Sequence, residues 1–442
     1  WSLILALLCA SLAIAQRPSV ARAADPDKTY VVDTALDTAL GTDPACDSDP
    51  TVADDCSLRQ AITLANADSG TSEILFQIPD DETNPDNGYN ATTGRWTILP
   101  TSSLPALNSG NTTINGLNNN AGGTPRVVID GSGLSGGGVG LRLNSANNVI
   151  RNLIIVGFSG SNTAGIGIRI DGPNSANNQV YGNYIGNFPG GDKQANTYAG
   201  VQIDNQAHDN TIGIGSSPGE RNVIAGNSGD GIRLQNAPNN KIYGNYIGLS
   251  VNASSTTTPQ PNDLNGITVV DSSGNQIGGM AVGQRNVVSG NRLNGIVLTG
   301  DGSTNNSIVN NYIGTNEIGS TDQGNTGNGV RIASGASDNN VYGTAGAGSV
   351  ISGNGAYGVL ITDVSTTGNK VYNNFIGVSA GGTTARPNDL GGVFVRDNAS
   401  NNQIGVAGQG NTIAGNSGYG IAFGRTATGY SAISNNSVSS NR

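Results

Sequence analysis

Asp363 and Asp397 each stand five residues after a glycine that opens a recurring word, Gly358 and Gly392, and Arg396 adjoins the second of them. Abstraction of a proton next to a carboxyl group needs a base, and commonly a cation to neutralise that carboxyl. Two carboxylates one repeat apart could hold Ca2+ or divide acid and base roles between them. On an outer face the same residues would only form a solvated ladder of ion pairs. Asp171, Asp204 and Arg169 make a weaker second version of the pattern. The single histidine, His208, sits in Gln206-Ala207-His208-Asp209-Asn210 and reads as a turn residue. No Gly-Gly-x-Gly-x-Asp word announces calcium-binding coils. Asp363, Arg396 and Asp397 therefore remain candidates with no committed catalytic role, no metal site is assigned, and Ca2+ is the one cofactor left open.

A second set of residues could bind without reacting. The words Asn240-Lys241-Ile242-Tyr243-Gly244-Asn245-Tyr246-Ile247-Gly248, Asn306-Ser307-Ile308-Val309-Asn310-Asn311-Tyr312-Ile313-Gly314 and Asn369-Lys370-Val371-Tyr372-Asn373-Asn374-Phe375-Ile376-Gly377 start 66 and 63 residues apart. If the isoleucine before each closing glycine points inward, strand alternation turns Tyr184, Tyr246, Tyr312 and Phe375 outward. Flat rings in such a row, about 9.6 Å apart, suit the sugar rings of a polysaccharide. Loops folding over the rings would bury them instead.

These residues must be positioned by a solenoid. A word of the form Gly-Ile-x-Leu begins at Gly140, Gly167, Gly200, Gly231, Gly266, Gly295, Gly329, Gly358, Gly392 and Gly420, and another of the form Asn-Val-Ile-x-Gly-Asn alternates with the tyrosine word. A fixed internal period means that each unit buries its apolar face only against its neighbours. Within one unit, Ile267-Thr268-Val269, Gln276-Ile277-Gly278 and Asn286-Val287-Val288 are short alternating runs bounded by Gly or Asn, which is the pattern of half-buried strands. Three strands in 29 residues leave no room for a crossover helix, so each must pair with its counterpart one turn later. The expected fold is an all-β parallel β-helix of about ten coils with three short strands per coil. Asn183, Asn245, Asn311 and Asn374 are expected to stack as a structural ladder, since Asn tolerates left-handed backbone and its amide can bond to its own kind. Longer alternate coils should project loops from one side.

Composition fits a narrow rod: 36% apolar, 12% charged and 67 glycines in 442 residues. A formal charge of −10 argues against nucleic acid or an anionic membrane surface as partner. The apolar run Leu3 to Ala15, too short to span a bilayer and followed by Ala21-Arg22-Ala23, reads as the end of a secretory signal over residues 1–24, which leaves no membrane span in the mature chain. Export to an oxidising compartment makes a disulfide between Cys46 and Cys56 the expected state of the two remaining cysteines. Residues 25–135 are expected to form an amino-terminal cap with the first irregular coils, and 136–442 the repeats, cut short within a repeat word. In the cap, Leu58, Ala61, Ile62 and Ala65 fall at helical spacing, and a helix there would block the open strand edges.

The word Cys56-Ser57-Leu58-Arg59-Gln60-Ala61, followed by β-helix repeats, resembles that of bacterial secreted proteins carrying a CSLREA-type motif, with Gln60 in place of the usual Glu. The resemblance implies a right-handed, pectin-lyase-like fold and an envelope or extracellular location. It implies no reaction. The reading favoured is a non-catalytic, secreted or surface-attached rod, structural or adhesive, contacting polysaccharide or an envelope glycan; the alternative is a polysaccharide lyase or glycoside hydrolase of the same fold.

Overall fold

A computed structural model describes residues 26–37, 46, 56–83, 87–118, 123–214, 220–252, 256–344, 348–425 and 434–442. The expected signal segment and Cys9 lie outside the described residues. From Gly266, one turn of the chain forms Ile267–Val270, Gln276–Ile277 and Val287–Val288, then returns with Ile296–Thr299 beside the first strand. The pairing is parallel, with Ile267 opposite Ile296 and Val269 opposite Leu298. Repeated along the chain, this winding builds, among the described residues, three long sheets of thirteen, twelve and ten strands, here sheets I, II and III, parallel throughout except for the antiparallel pair that opens sheet II. Each coil visits III, then I, then II. The molecule is an all-β, right-handed parallel β-helix, the hand that parallel crossovers adopt.

Ile232, Leu234, Ile267, Val269, Ile296 and Leu298 are fully buried and stack coil on coil in one core that extends from Tyr30 to Ile404. The glycine that opens each coil word is there for want of room. A Cβ on Gly295 would lie 2.6 Å from the Gly329 carbonyl oxygen and 2.7 Å from Cγ2 of Ile313, and Gly231, Gly266, Gly329 and Gly358 are hemmed in the same way. Only glycine lets the corner between sheets II and III close down on the core.

Three asparagine ladders run along the corners. One leads into sheet I, from Asn148 through Asn178, Asn210 and Asn240 to Asn436; one leads into sheet II; a third, from Asn196 through Asn227 and Asn262 to Asn416, leads towards sheet III. Asn306 shows the unit. Its Oδ1 accepts the backbone N–H and the amide of Asn275, while its own amide donates to Asn339 Oδ1 (2.9 Å) and to the Ser272 carbonyl (2.9 Å). Each fully buried amide thereby satisfies backbone groups of its own corner and fixes the next coil. In the ladder into sheet II, Asn183, Asn245, Asn311 and Asn374 alternate with Asn222, Asn286 and Asn411. Ser349 interrupts it: its hydroxyl accepts from the Asn311 N–H, but Asn374 Oδ1 is left buried without a hydrogen bond.

At the amino-terminal end α1 (Leu58–Ala67), capped by Ser57 accepting from the Gln60 N–H, buries Leu58, Ala61, Ile62 and Ala65 in the same core as Val32 and Ile74. Cys46 and Cys56 are disulfide-bonded. Arg59 of the motif holds Asp37 with Nε and Nη2, both at 2.8 Å, and donates to the Ser102 and Ser103 carbonyls. Burial pushes the Asp37 carboxyl up, but the hydrogen bonds from Arg59 and Thr101 outweigh it and hold the group below the ordinary carboxylate value. The strands Lys28–Val32 and Ser72–Phe76 are the first of sheet I, so cap and repeats share one sheet.

Two outcomes are expected. Ser349→Asn should complete the broken ladder and raise stability by about 0.5–1.5 kcal/mol, whereas Asn306→Ala should lose about 1–3 kcal/mol by leaving buried backbone groups unpaired. Denaturant midpoints measure both, and an unchanged or lower midpoint for Ser349→Asn would refute the account of the gap. Because the Asp37 carboxyl is depressed in the folded state, its contribution is present above the unfolded value of about 3.9 and lost as pH falls through the lower folded one. Asp37→Asn should therefore weaken the cap at neutral pH and flatten its acid dependence; thermal scans from pH 7 to 2 that match the parent's would contradict this.

Candidate functional site

The structure brings Asp363, Arg396 and Asp397 together, in a corner rather than a cleft. Asp363 and Asp397 have left-handed backbone (φ 79° and 51°), and the same corner of other coils is taken by Asn205, Asn236, Asp271 and Gly300, also left-handed. Backbone conformation thus accounts for the residue type. The Thr362 hydroxyl lies 3.0 Å from Asp363 Oδ1 and 3.4 Å from Asp397 Oδ2. Arg331 approaches Asp363 at 3.8 Å, and Arg396 Nε meets Asp397 Oδ2 at 3.3 Å. Among the described residues no three His, Cys, Asp or Glu side chains are grouped to hold a metal.

The second cluster is tighter. Arg169 Nη2 reaches Asp204 Oδ2 at 2.8 Å and Asp171 Oδ2 at 3.3 Å, and the Gln202 amide donates to Asp204 Oδ2 at 2.7 Å. Arg169, Gln202 and Asp204 are nearly fully buried on the outer side of sheet III. Burial raises the Asp204 carboxyl above its ordinary value against the pull of Arg169. A raised carboxyl is what a general acid needs, yet this one is enclosed by its own partners.

The aromatic row takes the second of the two forms open to it, with its rings under loops. Tyr184, Tyr246, Tyr312 and Phe375 do lie on the outer side of sheet II, alternating with Val223, Val287 and Val350. They are not an open row. After each of these strands the longer coils form a hairpin, bridged at Asn187 and Lys193, at Leu249–Val251 with Thr257–Pro259, at Thr315 and Asp322, and at Val378 and Ala385. The hairpins fold back over the rings, so Tyr312 keeps only 7% of its surface and packs with Leu249, Val287 and Val350, while Tyr246 and Phe375 lean on the same cluster. Gly319 and Gly382, both with positive φ, press so close that a Cβ would sit 2.9 Å from the Tyr312 ring and 2.8 Å from the Phe375 ring. Arg221 and Arg285 lie 5.0 and 4.1 Å from the Tyr246 and Tyr312 centroids. Burial raises the Tyr184 and Tyr246 hydroxyls as well. The rings are a second, smaller core under a layer of hairpins.

Sheet I carries aromatics that the sequence reading passed over. Tyr181, Tyr243, Tyr342 and Tyr372 each directly follow an inward Val or Ile and point outward. Tyr342 and Tyr372 stand in adjacent coils with centroids 5.1 Å apart and planes 12° from parallel. Both are half-buried, and among the described residues neither hydroxyl has a protein hydrogen bond. Burial, and then the neighbouring Tyr342, raise the Tyr372 hydroxyl. Alongside runs a column of exposed polar residues that includes Gln179, Lys241, Lys370 and Gln403. The signal was present in the word itself: in Lys241-Ile242-Tyr243 and Lys370-Val371-Tyr372 a tyrosine follows the inward residue of the first strand, as Tyr246 or Phe375 follows the asparagine of the second.

No protein-family model matches the chain, and no curated protein matches it. Solved structures similar to it include the A-module of mannuronan C-5 epimerase AlgE4 from Azotobacter vinelandii, at 14% identity and a TM-score of 0.45 over 87% of this chain and 95% of that one. The Dettilon tailspike protein is similar at 16% identity and 0.44 over 87% and 66%, and pectate lyase Pel9A at 13% and 0.38 over 94% and 80%. No feature of the site is carried over from them.

Since the sheet II rings are core, Tyr312→Ala should cost about 2–4 kcal/mol. A denaturant midpoint indistinguishable from the parent's would restore these rings to the surface.

Proposed function

We propose that the chain is a non-catalytic β-helix rod, secreted or held at the cell surface, that binds an extended polysaccharide along its flank and needs no cofactor. The observation that carries this reading is axial alignment: on sheet I an outward column holds Tyr181, Tyr243, Tyr342 and Tyr372, the half-exposed pair Tyr342 and Tyr372 in adjacent coils, beside a column of polar side chains that continues from coil to coil at about 4.8 Å, suiting a linear polymer better than a single small ligand. Secretion is supported by the Cys46–Cys56 disulfide, by the apolar run before Ala21-Arg22-Ala23 and by the motif that resembles CSLREA. No helix among the described residues is long and apolar enough to cross a membrane.

The enzyme alternative has one observation in its favour, the raised Asp204 carboxyl beside Arg169. Against it, Asp204 is 5% exposed, and Asp363 and Asp397 occupy turn positions and face arginines. A panel of polysaccharides should show retention of the purified protein on at least one polymer with no new reducing or unsaturated ends. Chain cleavage abolished by Asp204→Asn, or by Asp363→Asn with Asp397→Asn, would overturn the proposal in favour of a lyase or hydrolase.

A further inference from the structure

The three flanks of the rod differ in charge and cover. The outer side of sheet II is roofed by hairpins, and that of sheet III carries Asp171 and Asp204. Sheet I is different: from Gln179 to Ile404 none of its strands contains Asp or Glu, in a chain whose formal charge is −10. Lys241 and Lys370, both exposed, stand in one column of that sheet, four coil steps or about 19 Å apart, and neither is in an ion pair among the described residues. Beside Lys370 the stacked pair Tyr342 and Tyr372 offers ring surface and two hydroxyls without protein partners.

We propose that the outer side of sheet I is a binding track for an anionic polysaccharide, with sugar rings packing on Tyr342 and Tyr372 and carboxylate or sulfate groups meeting Lys241 and Lys370. The assignment rests on the polysaccharide-binding reading above. Pyranose rings present C–H faces to an aromatic ring while their hydroxyls take its polar tip. The lack of carboxylates in these strands lowers the repulsion an anionic polymer would meet along them. Lys rather than Arg at both positions suits point-charge attraction without a fixed fork geometry.

The test compares polygalacturonate with its methyl-esterified, uncharged counterpart, using the whole chain. The parent should bind the charged polymer more tightly and lose retention as salt is raised. Tyr342→Ala with Tyr372→Ala should weaken that binding about tenfold. Lys370→Gln, an exposed change that leaves folding intact, should weaken it severalfold and narrow the preference for the charged polymer. Circular dichroism and thermal unfolding check that the tyrosine variant is folded; should it not be, Lys370→Gln and Lys241→Gln decide alone. Failure of the parent to bind any polymer of the wider panel would overturn the functional reading and this track with it. Binding by the parent that survives the tyrosine and lysine changes would overturn the track and leave the reading standing. Equal affinity for the charged and esterified polymers would overturn the anionic class.

Discussion

Every part of the rod answers to the requirement that a buried asparagine amide find its like one coil further on. Each Oδ1 takes both the backbone N–H and the amide of the preceding coil, as Asn306 does from Asn275, so a corner is satisfied only when the next corner has the same shape. An unpaired amide in that position costs more than a bond between two amides gains. Register, coil length and the closeness demanded of the glycines at the II–III corner all follow from the match.

The repeat made the architecture legible because a solenoid writes one local problem many times. Strand positions, the inward residues of Gly231 to Leu298 and the helix over Leu58 to Ala65 could be read from alternation and spacing alone. Half of one ladder was legible through Asn183, Asn245, Asn311 and Asn374, whose word is conspicuous; the intervening Asn222, Asn286 and Asn411 belong to a different word, and only coil stacking shows that the two alternate in one column.

The site was less legible, for a physical reason. Alternation tells which way Tyr246 or Tyr312 leaves a strand, but cover depends on where a hairpin with its own short-range bonding comes to rest. Direction was legible from alternation, and of the two outcomes it left open, an open row or rings under loops, the structure shows the second. Tyr372 was passed over because, within its word, Phe375 and not Tyr372 stands before the closing Ile-Gly, and Tyr342 because Asn340-Val341-Tyr342 is not followed by such an ending. The grouping of Asp363, Arg396 and Asp397 was legible from their common offset, while the left-handed corner that explains their chemistry appears only in the backbone.

The hairpins over sheet II also touch one another. Gln323 donates to the Thr257 carbonyl at 2.6 Å, Arg386 to the Ser320 carbonyl at 2.5 Å and Ala380 N–H to Gly319 at 2.9 Å, so hairpin is tied to hairpin across an intervening coil. Loss of a single short coil would set ring against ring beneath them, and loss of a single long one would take away a hairpin to which its neighbours are tied. Loss or gain of two would leave every contact as it was. The length of such a rod is therefore quantised, available in steps of two coils, about 9.6 Å, and insensitive to duplications of its natural unit as no globular core could be.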